Sequence, residues 1–494
     1  MSERPAGINF IRQAEVVARL LKVLPRESVL YAREDTRPYE CDGLSAYRQL
    51  PMVVALPANE IEVQAVVRIC HSLKVPVVAR GAGTGLSGGA LPRGDGVLMS
   101  LARMMSILSI DPASRVARVQ PGVRNLAISQ AAEPYGLYYA PDPSSQIACT
   151  IGGNVAENSG GVHCLKYGLT VHNVLRVRGF TMEGDAVEFG SEALDSPGLD
   201  LLALMHGSEG MLAVITEVSV RLLAIPRLAR CIMASFDDVE KAGEAVAAII
   251  AAGIIPAGLE MLDRPAARAV EEFAHSGYDL EAAALLLVES DGTPIEVEEE
   301  LERTMRVLED HGAGAIRVSR DEAERLKFWA GRKAAFPAMG RISPDYYCMD
   351  GTIPRKRLGE VLRFIAEMER KYGLRCPNVF HAGDGNLHPL ILFDANDPDQ
   401  LARTEAFASE VLEKCVQVGG TITGEHGVGI EKINQMCIQF GAAEIETFIA
   451  VKRSFDPDEL LNPGKNIPTL HRCSEFGRMR VKGGKLAHPE LPRF

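Results

Sequence analysis

The sequence has no continuous apolar run long enough to cross a membrane. Its longest apolar stretch, residues 245–261, is interrupted by Gly253, Pro256 and Gly258 and is shorter than the ~20 residues that a spanning helix needs. Residues 1–25 alternate charged and apolar side chains and lack the cleavage site of a signal peptide. These absences predict a cytoplasmic protein without a transmembrane segment of its own, which reaches the inner face of the membrane only through partner subunits.

Cluster ligands and a basic surface are also missing. The ten cysteines are scattered and no two of them form a C-x-x-C pair, so neither a zinc knuckle nor an iron–sulfur cluster is encoded. Dispersed thiols are typical of a reducing compartment. The formal net charge is −12 with acidic and basic residues interspersed, which argues against nucleic-acid binding because that function needs a basic face.

The chain is long and rich in apolar residues and glycine. It has 494 residues, 47% of them hydrophobic and 46 of them glycine, which favours a well-buried α/β enzyme of two or three domains. The apolar pattern changes near residue 227, where we place a domain boundary. We expect helices over 10–24, 60–73, 123–133, 239–252, 295–310, 321–336, 355–372 and 398–418, and strands over 52–56, 76–79, 97–101, 117–119, 174–190, 211–224, 230–236, 284–289, 315–319 and 379–393.

The stretch VPVVARGAGTGLSGGA, residues 75–90, joins a buried-strand pattern to a glycine-rich loop. Five glycines leave no Cβ in the way of a ligand: Gly81, Gly83, Gly85, Gly88 and Gly89. Successive N–H groups of such a loop can converge on an anion, usually a phosphate. A surface loop without a ligand is the alternative, but the apolar strand directly before the loop favours phosphate binding.

Three of these glycines match the dinucleotide fingerprint G-x-G-x-x-G, but the structural context of that fingerprint is missing. In a Rossmann site the fingerprint opens a helix, and an acidic residue follows about 20 residues later. Here Pro92, Gly94 and Gly96 prevent a helix, and a new apolar run begins at Val97. The loop is therefore predicted to bind a diphosphate between two strands, and a nicotinamide-dinucleotide site is disfavoured.

A second glycine-rich region, residues 141–161, reads PDPSSQIACTIGGNVAENSGG. Its serine, asparagine and glycine residues supply many hydrogen-bond donors and few charges. Two ordinary long loops are the alternative, but they would leave this domain short of functional groups. Two such regions favour a large polar ligand with an extended diphosphate, and a flavin dinucleotide is such a ligand that also accepts hydride.

Two histidines flank a predicted hairpin turn in the segment NVFHAGDGNLHPLIL, residues 378–392. Asp384-Gly385 is a strong two-residue turn signal, and a turn centred there places His381 directly opposite His388. Cross-strand Cβ atoms lie about 4.5–5.5 Å apart, so both imidazoles can share one metal ion. A pair of satisfied core histidines explains this segment equally well when it is considered alone.

The turn GEHG, residues 424–427, supplies a carboxylate and a third histidine. Two imidazoles and one carboxylate suit Zn²⁺, Mn²⁺ or Fe²⁺ with coordination positions left for a substrate. If Glu425 binds the metal, His426 is expected to point elsewhere and to act as a general base, since its unperturbed pKa is about 6.5. An ion with open positions can chelate a 2-hydroxy acid and lower the pKa of its hydroxyl group.

Several longer motifs together resemble one family: RGAGTGLSGGA, PDPSSQIACTIGGNVAENSGG, GSEG, HAGDGNLHP, GEHG and LNPGKN. Over nearly its whole length the sequence resembles the vanillyl-alcohol-oxidase-type FAD flavoproteins, and within them the FAD-linked D subunits of bacterial glycolate oxidases, with related D-lactate and D-2-hydroxyglutarate dehydrogenases. The resemblance implies an α+β fold with a two-subdomain FAD-binding domain over 1–227. A ferredoxin-like cap domain with the metal site over 228–440 and a C-terminal helical segment and tail over 441–494 complete it.

The resemblance also assigns residues to FAD. It implies that the first glycine-rich loop holds the phosphates, and that Asn462 approaches the flavin ring. Glu209 and Gly210 of the GSEG turn (residues 207–210), together with Ile215, are implied to face the adenosine end. The full set of implied FAD-binding residues is Arg80, Gly81, Ala82, Gly83, Thr84, Gly85, Leu86, Ser87, Gly88, Gly89, Pro141, Asp142, Ser144, Gly152, Gly153, Asn154, Asn158, Gly161, Glu209, Gly210, Ile215 and Asn462.

The reacting residues follow from the same resemblance. It implies that three residues bind one divalent metal ion: His381, His388 and Glu425. It further implies that His426 handles the substrate proton and that Arg332 binds the substrate carboxylate. One departure is Cys348, which stands where relatives that act on hydroxyglutarate carry a lysine. The loss of this cation favours a short substrate without a second carboxylate.

Together these features predict FAD- and metal-dependent oxidation of a small 2-hydroxy acid, with glycolate as the first choice of substrate and D-lactate as the second. The resemblance implies that electrons pass to a separate iron–sulfur subunit and then to quinone, alongside a second FAD-binding-like subunit. Alternative functions are a D-lactate dehydrogenase, a metal hydrolase and a flavin subunit whose chemistry takes place in a partner. The polar, basic tail from residue 469 on is expected to wrap the surface or to contact a partner.

Overall fold

The computed structural model of the protein describes residues 8–193 and 198–469. The predicted role of the C-terminal tail falls almost entirely outside these residues. Among the described residues, no helix combines the length and the apolar character that crossing a bilayer requires. Eight cysteines in the described part are free thiols, and all of them except Cys41 are buried. Buried free cysteines pack like small apolar side chains.

The first sheet carries the first glycine-rich loop. Its four strands lie in the order Val29–Leu30, Val53–Ala55, Val97–Ser100 and Val77–Arg80. The last three run parallel, and the loop joins two neighbouring parallel strands without an intervening helix, as predicted. The helices of this part are Phe10–Leu20, Arg33–Thr36 and Glu60–Leu73. The last of these has the predicted bounds. Asn59 is its N-cap residue, and the Asn59 side chain accepts the N–H of Glu62.

The second sheet is antiparallel and lies behind the second glycine-rich region. Its five strands have the order Ile107–Asp111, Val116–Val119, Val214–Arg221, Val174–Phe180 and Ala186–Gly190. A small two-stranded sheet pairs Leu137–Tyr138 with Leu223–Ala224. The helices are Asn125–Ala132, Ile151–Glu157, Cys164–Tyr167, Thr170–Asn173 and Leu201–Met205. Ile128, Ile151 and Val155 pack with strand residues such as Val218 into one apolar core.

The helix Ile151–Glu157 was not expected inside the second glycine-rich region. Its sequence, IGGNVAE, has two glycines and an asparagine, which are poor helix formers, so local propensity predicts a loop. Close packing explains the glycines, since a Cβ on Gly152 would lie 2.7 Å from the Pro121 side chain. The helix ends at Asn158, which adopts the left-handed conformation with φ 53°.

The C-terminal half contains a seven-stranded antiparallel sheet. Its strand order is Ile316–Val318, Leu228–Phe236, Ala284–Gly292, Gly258–Asp263, Asn378–His381, Asn386–Phe393 and Asp345–Cys348. Helices pack against it: Val239–Ala251, Arg264–Ala274, Pro294–Asp310, Glu322–Lys333, Ala335–Met339, Leu358–Tyr372 and Pro398–Gln417. The strand Gly258–Asp263 was missed because buried Glu260 and Asp263 interrupt its apolar pattern. The predicted domain boundaries near residues 227 and 440 stay predictions.

The register of the histidine hairpin differs from the prediction. Val379 pairs with His388 and His381 pairs with Asn386, so the two histidines are diagonal neighbours rather than directly opposite each other. The turn has four residues, 382–385, instead of two. Because the pairing shifts by two residues, both histidines stay on the same face of the hairpin, and their ring centroids lie 4.9 Å apart.

The C-terminal segment returns to the first sheet. It contains the helices Met436–Gln439 and Ala442–Phe455, and Leu461 then forms a parallel bridge with Val77. The return is anchored by the buried Lys452, whose Nζ donates to the carbonyl oxygens of Met211 at 2.7 Å and Leu461 at 2.8 Å. Lys452 also forms an ion pair with Asp456, four residues later.

We expect Lys452→Met to lower the free energy of unfolding by about 3 kcal/mol, because it leaves the buried Asp456 carboxylate without its partner. Chemical denaturation followed by circular dichroism measures the loss. Arg453→Met is the matched control, since Arg453 lies on the same helix with its side chain 62% exposed and should contribute less than about 1 kcal/mol. Equal losses in the two variants would contradict the anchoring role.

Candidate active site

One cavity lies where the two glycine-rich regions meet the histidine hairpin and the turn 424–427. The volume of this cavity is about 350 Å³. Fifteen of the predicted FAD-binding residues line it: Arg80, Gly81, Ala82, Gly83, Thr84, Gly85, Leu86, Gly89, Ser144, Gly152, Gly153, Asn154, Glu209, Gly210 and Ile215. The structure therefore brings both glycine-rich regions and the GSEG turn to one site.

Seven predicted residues do not line the cavity: Ser87, Gly88, Pro141, Asp142, Asn158, Gly161 and Asn462. Two of them, Ser87 and Asn462, make contacts that hold the first loop in place. The Ser87 carbonyl accepts the N–H of Ile430 at 3.0 Å, which ties the first loop to the segment after the GEHG turn. The Asn462 amide donates to the carbonyl oxygens of Gly89 and Glu209, so the C-terminal segment also holds the first loop.

The cavity wall includes residues that the sequence patterns did not indicate. Those from the N-terminal half are Ala79, Ala90, Leu101, Pro121, Pro143, Ser145, Cys149, Thr150, Ala156, Glu157, Ser159, Ser208 and Ala213. Several of them stand next to predicted residues in the same motifs, which was the available signal. Lys333, Phe336, Pro337 and Tyr346 come from the C-terminal half. They lie within residues 328–354, a segment that also resembles the family, but the resemblance assigned them no role.

The two glycine-rich regions pack closely against each other, which requires small side chains where they touch. A Cβ on Gly81 would lie 2.1 Å from Oγ1 of Thr150 and 3.5 Å from its Cβ, so the two regions touch at this point and a larger residue would force the Thr150 side chain to rotate. That Thr150 hydroxyl is buried without a hydrogen-bond partner among the described residues, as is Oε2 of Glu157, and both residues line the cavity. Unpartnered polar atoms around a glycine-lined cavity fit a large polar cofactor such as FAD.

We expect Gly81→Ala to weaken FAD binding by about tenfold or more and to destabilise the apoprotein, because the added Cβ overpacks the contact with Thr150. Titration of the apoprotein with FAD and its melting temperature measure the two effects. Gly85→Ala is the matched control for stability, since a Cβ there meets no atom closer than 4.0 Å. An unchanged melting temperature and FAD affinity in Gly81→Ala would disprove this packing argument.

The three predicted metal ligands come together, and two of them, His388 and Glu425, line the cavity. Oε1 of Glu425 lies 3.3 Å from Nε2 of His381 and 3.1 Å from Nε2 of His388. Neither of these nitrogens makes a hydrogen bond of normal geometry within the described part of the chain, although both histidines are buried. Two imidazole nitrogens and a carboxylate oxygen that converge in this way form a donor set that fits a divalent cation.

A buried relay orients His381. Its Nδ1 lies 2.7 Å from Oε1 of Glu260, which directs Nε2 toward Glu425. Metal-binding histidines commonly hold their second nitrogen in this way. Arg332 donates from Nε to the other oxygen of Glu260 at 2.6 Å. The Arg332 side chain is 1% exposed and does not line the cavity, while its Nη2 is buried without a hydrogen-bond partner.

Asp350 organises the GEHG turn and was not identified from the sequence. Its carboxylate accepts the backbone N–H groups of Gly424 and Glu425 at 3.1 Å and that of His426 at 2.8 Å. Asp350, His388, Glu425 and His426 offer possible ligand atoms that lie within 4.8 Å of one another. The only sequence signal was an Asp-Gly pair directly after an apolar strand, which also marks ordinary turns.

His426 does not point away from the metal cluster, contrary to the expectation. Its ring stacks on His388 with centroids 5.0 Å apart and planes at 1°, because Asp350 holds the whole turn against the hairpin. His426 also lines the cavity. Burial lowers the pKa of His426 to about 4, below the expected value, so the imidazole is neutral at pH 7 and is a weaker base than a free histidine.

Family models match both halves of the chain. The family described as 'FAD binding domain' matches residues 51–190. The family described as 'FAD linked oxidases, C-terminal domain' matches residues 225–466. The chain is 62% identical to the glycolate oxidase subunit GlcD of Escherichia coli strain K12, over 98% of this chain and 97% of that protein. It is 32% identical to a D-lactate dehydrogenase of Anaerostipes hadrus, over 91% and 97% of the two chains.

Solved structures show the same fold. The structure of p-cresol methylhydroxylase with bound substrate superposes with a TM-score of 0.80 at 17% identity, over 94% of this chain and 99% of that chain. Together with the family matches, this confirms the predicted α+β architecture, in which an FAD-binding domain is followed by a C-terminal domain.

Proposed function

This chain belongs to the family of FAD-linked oxidases and is an FAD-dependent oxidoreductase, and we propose that it oxidises glycolate to glyoxylate, with D-lactate as a second substrate. The observation that carries the proposal is that His388, Glu425 and His426 line the cavity shared with the glycine-rich regions, while His381 lies directly behind them with its Nε2 3.3 Å from Glu425. The names of the Escherichia coli and Anaerostipes relatives support the choice of these two substrates.

We propose that His381, His388 and Glu425 hold one divalent ion, Zn²⁺, Mn²⁺ or Fe²⁺. When bound, the ion supplies a Lewis acid and FAD supplies the hydride acceptor. Asp350 keeps Glu425 in place through its backbone N–H, and Glu260 orients His381. The ligand set is thus held by buried carboxylates before any ion binds, which limits reorganisation on binding.

The proton and the carboxylate of the substrate need separate partners. His426 takes the hydroxyl proton while the α-carbon loses hydride, so the 2-hydroxy acid becomes a 2-oxo acid with the loss of one proton and one hydride. We assign the substrate carboxylate to Arg332, and this role requires the substrate to reach the arginine behind the residues that line the cavity. The unpartnered Nη2 of Arg332 supports this role, because the bond to Glu260 uses Nε and leaves the outer nitrogen free.

A short substrate is favoured by the side chains around the cluster. Phe336 packs near His388, with ring centroids 6.4 Å apart, and Tyr346 packs on Phe336 at 5.9 Å. Both rings line the cavity. Cys348 is buried and does not line the cavity, so its position supplies no cation for a distal carboxylate, although Lys333 does line the cavity wall.

Electrons then have to leave the chain. Because the Escherichia coli relative is called a subunit, we propose that this chain works in a multi-subunit glycolate oxidase with an iron–sulfur subunit and a second FAD-binding-like subunit, peripheral to the cytoplasmic membrane. Quinone is the proposed final acceptor.

Substrate preference tests the proposal. The holoenzyme with an artificial dye acceptor should show its highest kcat/KM with glycolate, a lower value with D-lactate, and at least about 100-fold lower values with L-lactate and D-2-hydroxyglutarate. The preference for one enantiomer follows from binding the substrate at its carboxylate, hydroxyl group and α-carbon. Equal rates with hydroxyglutarate and glycolate would refute the short-substrate assignment.

A further inference from the structure

His163 joins the second glycine-rich region to the seven-stranded sheet, and no step of the proposed oxidation uses it. Its backbone N–H donates to one Asp142 carboxylate oxygen at 3.2 Å, and its Nδ1 lies 2.7 Å from the other. On the opposite side of the ring, Nε2 lies 3.2 Å from Oε1 of Glu289. The imidazole therefore bridges a loop of the N-terminal half and a strand of the C-terminal half.

The bridge depends on a charged ring. Both ring nitrogens of His163 face carboxylates, so both must donate, which only the protonated imidazole can do. Burial opposes that charge, but Asp142 and Glu289 outweigh it and raise the pKa of His163 to about 10. Hydrogen bonds between charged groups are about twice as strong as neutral ones. A neutral side chain at this position cannot reproduce the bridge.

Glu289 gives the bridge a fixed end on the sheet. It lies on the strand Ala284–Gly292, and its side chain is 3% exposed. Oε2 of Glu289 accepts hydrogen bonds from Arg325 at 2.6 Å and from the indole N–H of Trp329. Both donors lie on the helix Glu322–Lys333, so strand and helix hold this carboxylate together.

Asp142 is the end of the bridge at the cavity. The three residues that follow it, Pro143, Ser144 and Ser145, line the cavity wall. A Cβ on Gly161 would lie 2.5 Å from the Asp142 carbonyl carbon, so the two ends of the second glycine-rich region touch at this point. The position of Asp142 therefore sets the position of the adjoining wall.

We propose that His163 is a positioning residue for FAD, because its bridge from Glu289 to Asp142 fixes the part of the cavity wall that the cofactor contacts. The inference depends on FAD binding in this cavity and on neither the substrate nor the metal ion. Lys166 and Tyr167 also join the two halves, through Asp291, but they do not contact Asp142 and so provide a control.

The test is the affinity of the apoprotein for FAD, followed by flavin fluorescence. His163→Gln should raise the Kd for FAD about tenfold or more, since the neutral amide breaks charge-assisted hydrogen bonds to Asp142 and Glu289. His163→Lys keeps the cation and should recover most of the affinity. The double variant His163→Gln/Asp142→Asn should bind FAD no more weakly than the weaker of the two single variants. Both substitutions break the same contact between His163 and Asp142, so their effects should not add.

The control separates positioning from general stability. Asp291→Asn should lower the melting temperature but leave the Kd for FAD within about twofold. If the His163→Gln apoprotein does not fold, the comparison of Asp142→Asn with Asp291→Asn decides the question. The proposal is overturned if His163→Gln, or in its place Asp142→Asn, binds FAD like the wild type, if Asp291→Asn weakens binding equally, or if His163→Lys gives no recovery.

Discussion

Replacing His426 by alanine is expected to slow the reduction of the flavin by glycolate about 10²- to 10⁴-fold, which is the usual contribution of a general base. His426 is neutral at pH 7, lines the cavity and stacks on His388, so it is placed to take the hydroxyl proton. The variant should remain yellow, because His426 is not among the residues assigned to FAD. Anaerobic stopped-flow measurement of flavin bleaching gives the rate.

His275→Asn is the matched control for this experiment. His275 is exposed, lies outside the cavity and has φ 50°, a conformation that asparagine tolerates well. Its rate should equal that of the wild type. If His426→Ala reduced its flavin at the original rate, the proton would have to leave by another route and the assignment of the base would fail.

Replacing Glu425 by glutamine should remove the metal ion and slow flavin reduction about 10³-fold, since Lewis-acid stabilisation contributes several kcal/mol. The amide keeps the size of the side chain, but it takes away the only negative charge among the three proposed ligands. Elemental analysis after dialysis measures the bound metal, and the flavin absorbance reports FAD on the same sample. We expect the metal to be lost while FAD stays bound.

Glu446→Gln controls for the loss of a carboxylate at an exposed position on the helix Ala442–Phe455, and it should keep both metal and activity. Two outcomes for Glu425→Gln would count against the proposed centre. One is full activity without metal, and the other is wild-type metal content with an unchanged rate.

Features that depend on neighbouring residues were predictable from the sequence. The helix Glu60–Leu73 has both an N-cap residue and an apolar periodicity, and its bounds agree with the prediction. The first glycine-rich loop follows a buried strand and contains helix breakers, so its position between parallel strands was foreseen. The histidine hairpin was placed correctly by face but not by register, because face depends on parity and register depends on the length of the turn.

Features that depend on long-range contacts were not predictable. Asp350 and Glu260 are buried carboxylates whose role is visible only when the turn 424–427 and the hairpin reach them. Each looks like an ordinary acidic residue in its own segment. The helix Ile151–Glu157 is stable although its glycines disfavour it, because tertiary packing against Pro121 outweighs local propensity.

The most direct test of the account is anaerobic titration of the purified holoprotein with glycolate, before and after treatment with a chelator and after Mn²⁺ or Zn²⁺ is restored. We expect bleaching of the flavin absorbance at one equivalent of glycolate, loss of bleaching when the metal is removed without loss of FAD, and recovery when the ion returns. Undiminished bleaching in the metal-free, FAD-loaded protein would contradict the central claim that His381, His388 and Glu425 hold an ion on which the oxidation depends.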